Sequence, residues 1–236
     1  MKKIKLYWIE RDKNFGDMLN PIIFNNLGFD FEKAKENDKG KLLAIGSVIY
    51  VSKENDIVWG SGILDDNPFD FPLGMKFLAV RGPKTKEFIK GYKVPNIFGD
   101  PAILMPDFYK PKIEKKNKIG YVPHYIDLND KRLKGKYVIN VKNNPLKVID
   151  DIFSCEVIVS SSLHGIIIAE AYGIPAVWIK MSEKIIGGDF KFNDYFLGSG
   201  RKEQKPSEFN KWKILPKPFY EKEKLLNTLK NWISLN

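Results

Sequence analysis

Cysteine is almost missing. The 236-residue chain has one, Cys155, in an apolar stretch. A single thiol forms no intrachain disulfide, so nothing here requires an oxidising compartment. A thiol nucleophile would want a neighbouring base and some exposure, and Cys155 reads instead as a buried structural residue. Histidine is scarce as well: His124 and His164 stand far apart. No HExxH or paired-cysteine spacing occurs, so no obligatory metal is expected, although Mg²⁺ carried by a substrate phosphate stays open. Long apolar runs are missing too. Ile4–Ile9 is interrupted by Glu10 and Arg11 too soon for a secretory signal. Ile166–Ile179 contains Glu170 and a Gly-Ile-Pro break, so it is not a membrane span. The chain therefore reads as a soluble, cytoplasmic protein. There is no long repeat, no low-complexity segment and no zinc-finger, helix-turn-helix or RNP pattern, so nucleic acid is not an expected partner.

What is present is aromatic content and positive charge. The 16 Phe, 10 Tyr and 5 Trp can drive burial of a substantial core. The 39 Lys and Arg outnumber the 29 Asp and Glu and give a net charge of +10. One explanation is lysine-rich codon usage. The other is attraction to an anion: a phosphorylated substrate, a lipid-linked pyrophosphate or an anionic bilayer.

Short apolar runs alternate with helical patterns, which argues for α/β architecture. Strands are predicted at Lys3–Ile9, Lys41–Ile45, Asp56–Trp59 and Lys76–Val80. Helices are predicted at Asp17–Leu27, capped by Asn14 or Asp17 and stopped by Gly28, and at Pro83–Lys90. Pro106–Lys118 reads as a linker, dividing the chain into halves at 1–108 and 109–236. The second half predicts strands at Lys118–Val122, Tyr137–Val141, Glu156–Ser160 and Ala176–Ile179. Its predicted helices are Leu146–Phe153, Leu163–Tyr172 and a terminal one in which Leu225, Leu226, Leu229, Trp232 and Ile233 form an apolar stripe. That stripe either packs back on the globule or lies on a membrane surface.

The most informative stretch is Val157–Ile179. An apolar strand ends in Ser160-Ser161-Ser162, an apolar helix follows, Gly173 stops it, and a second apolar strand begins. That is a βαβ unit with both strands buried. In such units ligands bind at the loop after the strand, here Ser160–Gly165. Its hydroxyls, free backbone N–H groups and His164 stand at a helix N-terminus, where anions are favoured. An empty helix N-terminus disfavours an imidazolium and a bound phosphate favours it, which suits proton donation triggered by an anionic substrate. The alternative is that the serines cap the helix and His164 hydrogen-bonds in the interior.

Eight segments recur in order: Asn14-Phe15-Gly16-Asp17-Met18-Leu19-Asn20-Pro21, Ala44-Ile45-Gly46-Ser47, Trp59-Gly60-Ser61-Gly62, Val80-Arg81-Gly82-Pro83-Lys84-Thr85, Gly99-Asp100-Pro101-Ala102, Gly120-Tyr121-Val122-Pro123-His124-Tyr125, Ser161-Ser162-Leu163-His164-Gly165 and Lys191-Phe192-Asn193-Asp194. Each is weak alone. The ordered set resembles the polysaccharide pyruvyltransferase family, in particular the branch that ketalises exopolysaccharide sugars. The resemblance implies two Rossmann-like halves in the manner of GT-B glycosyltransferases, with the active site between them. It implies transfer of the carboxyvinyl unit of phosphoenolpyruvate, a co-substrate rather than a cofactor, to a sugar acceptor, free or lipid-linked. Peripheral contact with the inner face of the plasma membrane would suit a lipid-linked acceptor. The family's donor-binding arginine and Leu-His pair map to Arg81, Leu163 and His164. Several members carry arginine where this chain has Ser162, so Lys191 or Arg201 is expected to supply a second cation.

The remaining motifs have two readings each. Arg81 follows an apolar strand, where it either faces the cleft as a bidentate donor ligand or caps a surface turn. Gly60-Ser61-Gly62 either cradles an anion or makes a tight turn. Asp17 either accepts the proton of a sugar hydroxyl or caps its helix, and Asn14 and Asn20 lie beside it as candidate acceptor ligands. Gly99-Asp100-Pro101 reads as a structural turn. His124 is a candidate second group at the acceptor. His164 is expected as the acid. A nucleotide-sugar glycosyltransferase and a non-catalytic carbohydrate-binding protein are the competing readings, since fold does not fix function.

Overall fold

Apolar runs too short for helices pair side by side in this chain, and the amphipathic stretches between them cover the faces. The computed structural model describes residues 3–11 and 13–235. Five strands form the first sheet: β1 (Ile4–Tyr7), β2 (Phe31–Lys33), β3 (Leu42–Leu43), β4 (Ile57–Trp59) and β5 (Lys76–Ala79). Their order is β2-β1-β3-β4-β5 and every pair is parallel. Three more, β6 (Asn117–Val122), β7 (Cys155–Ser160) and β8 (Ala176–Trp178), form a second parallel sheet in sequence order. The helices are α1 (Phe15–Asn26), α2 (Pro83–Phe88), α3 (Met105–Phe108), α4 (Pro145–Phe153), α5 (Leu163–Ala171), α6 (Gly188–Gly198) and α7 (Lys222–Ser234). Parallel sheets buried by helices are the expected Rossmann-like α/β class.

Local chemistry sets the bounds of α1. Phe15, Leu19 and Ile23 recur at four-residue spacing and are fully buried. Pro21 lies inside this helix and has no N–H to give the carbonyl of Asp17. The Asn20 side chain replaces it, its Nδ2 donating to that carbonyl at 2.9 Å. α5 is apolar all round, and its residues Leu163–Glu170 are all buried. Such a helix belongs in a core.

One predicted strand is missing and other elements are additional. Tyr137–Val141 is not a strand: it makes one isolated bridge, Val138 to Tyr121. The carbonyl of Val141 accepts the N–H of Phe15 at the start of α1 instead of extending the ladder. α6 occupies a stretch read only as a motif, and β2 was not anticipated. The terminal stripe packs back on the globule: Leu225 and Leu229 are fully buried, and Trp59 Nε1 donates to the Leu225 carbonyl at 2.9 Å.

One apolar core joins the two sheets, running from Phe24 and Trp59 to Ile158 and Ile167. α6 and α7, late in the chain, both reach the N-terminal sheet: α7 through Trp59, α6 through an ion pair of Arg81 with Asp194 whose side chains are both 0% exposed. No helix among the described residues is long and apolar enough to cross a membrane.

Candidate functional site

The carboxyl end of a parallel strand is where the chain leaves the sheet and side chains meet open space. β1 leads to Arg11, Asn14 and Asp17; β3 to Gly46 and Ser47; β6 to His124 and Tyr125; and β7 to Ser162, Leu163 and His164. All of these line one cleft of about 230 Å³, together with Tyr50, Leu64 and, from α6, Lys191. The cleft thus collects groups from both sheets.

His164 sits in the first turn of α5 with its side chain 9% exposed. Its ring lies edge-on to Phe15, with centroids 6.4 Å apart. Gly16 makes this possible, since a Cβ there would fall 2.1 Å from Nδ1. Nε2 lies 3.4 Å from Oδ2 of the fully buried Asp100. Ser162 caps α5, its Oγ accepting the Gly165 N–H at 3.4 Å.

Lys191 is the buried cation of the cleft. Its Nζ donates to the Ile186 carbonyl at 3.0 Å. Burial, then repulsion from Arg81, lowers its pKa to about 8, while Asp17 pulls it up. It is therefore mostly ammonium at neutral pH. His124 shows the opposite case. Burial, then the charges of Lys191 and His164, push its pKa down to about 4, so it is neutral in the same range. Its Nδ1 accepts the Ile126 N–H at 3.4 Å, which places the proton of the neutral ring on Nε2. Asp17 receives the Asn14 amide at 3.0 Å. Gly46, at φ +105°, stands where a side chain would press on the Asp17 carboxylate, a Cβ falling 2.7 Å from Oδ1.

Several expected site residues are engaged elsewhere. Arg81 does not line the cleft. Its Nε pairs with Asp194 at 2.9 Å, one terminal nitrogen donates to Ser47 Oγ at 2.6 Å and the other to the Ile63 carbonyl at 2.7 Å. All three of its nitrogens have partners within the protein, and one of those partners, Ser47, lines the cleft. Arg201 lies outside the cleft, forked onto Glu170 at 2.6 and 3.1 Å beneath Tyr195 and Phe196. Gly60-Ser61-Gly62 is a packed turn. Gly60 abuts Pro101, the Ser61 hydroxyl donates to the Gly46 carbonyl, and Gly62 makes room for the Arg81 guanidinium. Asn20 is spent on the carbonyl of Asp17 and on both backbone groups of Ile45. Ser161 bonds the His124 N–H and Asp127. In each case a polar group too buried to face water finds a partner in the protein.

The cleft also holds residues not selected from sequence: Arg11, Ser47, Tyr50 and Tyr125. For Arg11 and Ser47 the signal was available, since both follow predicted strands as Arg81 does. Among the described residues no group of three His, Cys, Asp or Glu could hold a metal.

The family model described as polysaccharide pyruvyl transferase matches residues 40–183. That span contains Ser47, Asp100, His124 and Ser162–His164, and ends before Lys191. The chain is 29% identical over 218 residues to an uncharacterized protein of Acanthamoeba polyphaga mimivirus, across 82% of this chain and 74% of that one. It is 27% identical over 208 residues to the succinoglycan biosynthesis protein ExoV of Rhizobium meliloti, across 80% of this chain and 62% of ExoV.

Proposed function

Since the chain belongs to the polysaccharide pyruvyl transferase family, we propose that it transfers the pyruvyl unit of phosphoenolpyruvate to a sugar of a surface polysaccharide or its lipid-linked precursor, closing a cyclic ketal. The observation that supports this best is the meeting, in one cleft, of an imidazole at a helix N-terminus with an ammonium and a carboxylate: His164, Lys191 and Asp17.

The donor is a small acid with a carboxylate and a phosphate. Lys191 and Arg11 offer it positive charge, and the α5 N-terminus offers N–H groups and a favourable dipole. Imidazolium His164 gives its proton to the methylene carbon, which becomes the methyl group, and cationic character develops at C2. A sugar hydroxyl adds to C2 and loses its proton to Asp17. The C2–O bond to phosphate breaks, and phosphate leaves with Lys191 stabilising its charge and one proton returned to it. A neighbouring hydroxyl then adds to C2 and gives up its proton, closing the ketal. Two protons are taken up, at carbon and at phosphate, and two are released from the hydroxyls. His124, neutral at pH 7, donates from Nε2 to an acceptor hydroxyl. Arg81 acts at one remove by fixing Ser47. A cytoplasmic enzyme meeting a lipid-linked acceptor at the inner membrane face fits the same reading.

The test incubates the protein with phosphoenolpyruvate and a panel of galactosides, glucosides and N-acetylmannosamine glycosides. Mass spectrometry looks for one added pyruvyl ketal, and phosphate release is followed in parallel. His164→Ala should lower turnover by about 10²–10⁴-fold with the melting temperature kept. Nucleotide release from UDP-sugars with those acceptors, and no phosphate release from phosphoenolpyruvate, would overturn the proposal.

A further inference from the structure

The turn Gly99-Asp100-Pro101 reads from sequence as structural, yet its carboxylate does more than a turn requires. Asp100 caps the short 3-10 turn Pro101–Leu104, with Oδ1 accepting the Ala102 N–H at 2.9 Å. A serine or asparagine could do that as well. The second oxygen, Oδ2, is buried and has no hydrogen bond, and the same holds for His164 Nε2. These two atoms face one another at 3.4 Å. A buried carboxylate oxygen left alone is costly, and so is a buried ring nitrogen. Each atom's nearest remedy is the other, at a separation that a small shift turns into a hydrogen bond. The opposite edge of the ring lies over Gly16, and the edge-on contact with Phe15 limits its rotation. Nδ1 lies on the edge beside Gly16 and, unlike Nε2, is not sealed against a buried carboxylate.

We propose that Asp100 is the positioning residue of His164: its carboxylate holds Nε2–H, fixes the tautomer and leaves Nδ1 as the nitrogen that serves the cleft. The assignment rests on His164 being the proton donor of the proposed transfer. A buried carboxylate behind an imidazole stabilises the imidazolium before donation and keeps the ring aligned afterwards. The proton given to the donor carbon leaves from Nδ1, while Nε2–H stays on the ring. Other charged or titratable groups line the cleft with this imidazole: Asp17 from α1, Lys191 from α6 and, in electrostatic contact with it, His124 from the loop after β6. Tyr220 is near enough to feel the charge of Asp100. Among all of these, Asp100 is the group in ionic reach of Nε2.

The experiment compares the full chain with Asp100→Asn and Asp100→Ser, both of which keep a cap for the Ala102 N–H. With two histidines in the sequence, ring ¹⁵N resonances assign readily against His124→Gln. The neutral His164 ring of the unsubstituted protein should be the Nε2–H tautomer, and both variants should shift it towards Nδ1–H or a mixture. Turnover should fall by on the order of 10²-fold with little change in KM for phosphoenolpyruvate. An unchanged tautomer in both folded variants overturns the assignment. So does full turnover in both. The NMR arm needs no transfer activity. A tautomer that changes in a protein that never consumes phosphoenolpyruvate would therefore uphold the positioning role and sink the transfer reading.

Discussion

Lys191 shows how burial sets a residue's task. Its ammonium costs stability, because the folded chain holds that proton less tightly than the unfolded chain does. The cost is present below about pH 8 and fades as pH rises from there to the ordinary lysine range. What folding loses, the donor regains by bringing negative charge. KM for phosphoenolpyruvate should therefore rise above about pH 8, as the free site loses its cation. The kcat profile should turn at higher pH, since the bound dianion raises proton affinity. Lys191→Met should flatten that dependence and raise KM roughly 10–100-fold, the scale of a charged hydrogen bond. Below pH 8 its melting temperature should hold or rise; a marked fall would show that Lys191 is structural. At this scale the sequence was legible for the placement of His164, Asp17 and Lys191 in one cleft, since they follow strand ends or lie in the ordered motifs. It did not show the partners of Arg81 and Arg201, because a guanidinium that binds an anion and one that binds Asp194 or Glu170 look alike before the partner is known.

Among the elements, α1 has the narrowest tolerance. Replacing Gly16 by alanine should strengthen an isolated helix by about 1 kcal/mol. In the folded protein the new methyl would sit 2.1 Å from Nδ1 of His164 and the ring must move. Gly16→Ala should thus cost turnover on the order of 10²-fold while the thermal midpoint changes little, as kinetics and calorimetry on one preparation would show. α7 offers the reverse case. Leu225→Ala should cost about 2–5 kcal/mol by denaturant unfolding, because the side chain is fully buried against the first sheet. Periodicity marked α1, α4, α5 and α7, whose apolar positions are regular or continuous. It missed α6, where Phe190, Phe192, Tyr195, Phe196 and Leu197 crowd more than one face. It also overread Tyr137–Val141, whose terminal carbonyl is drawn off to cap α1.

In the whole molecule, the cleft is assembled by one buried ion pair. Asp194 lies one turn along α6 from Lys191, and it receives Arg81 Nε, the Thr85 N–H and the Thr85 hydroxyl. α6 is thereby fixed to the N-terminal sheet and Lys191 is carried into the cleft. Breaking such a pair leaves a stranded charge. Asp194→Ala should destabilise the fold by about 3–5 kcal/mol, measured by denaturant midpoint. Where the variant still folds, KM for the donor should rise with it, because Lys191 loses its platform. Unchanged stability would mean that Arg81 reaches water or another carboxylate.

The chain's own order of residues determined the alternation of short strands and helices, the parallel sheets that such alternation demands, and the strand ends where chemistry gathers. Apolar periodicity and turn residues act over a few positions, so they are readable in line. Which polar groups face the cleft was decided only by tertiary structure. Arg81 and Asp194 are 113 positions apart, and a buried charge takes its role from whichever group it meets.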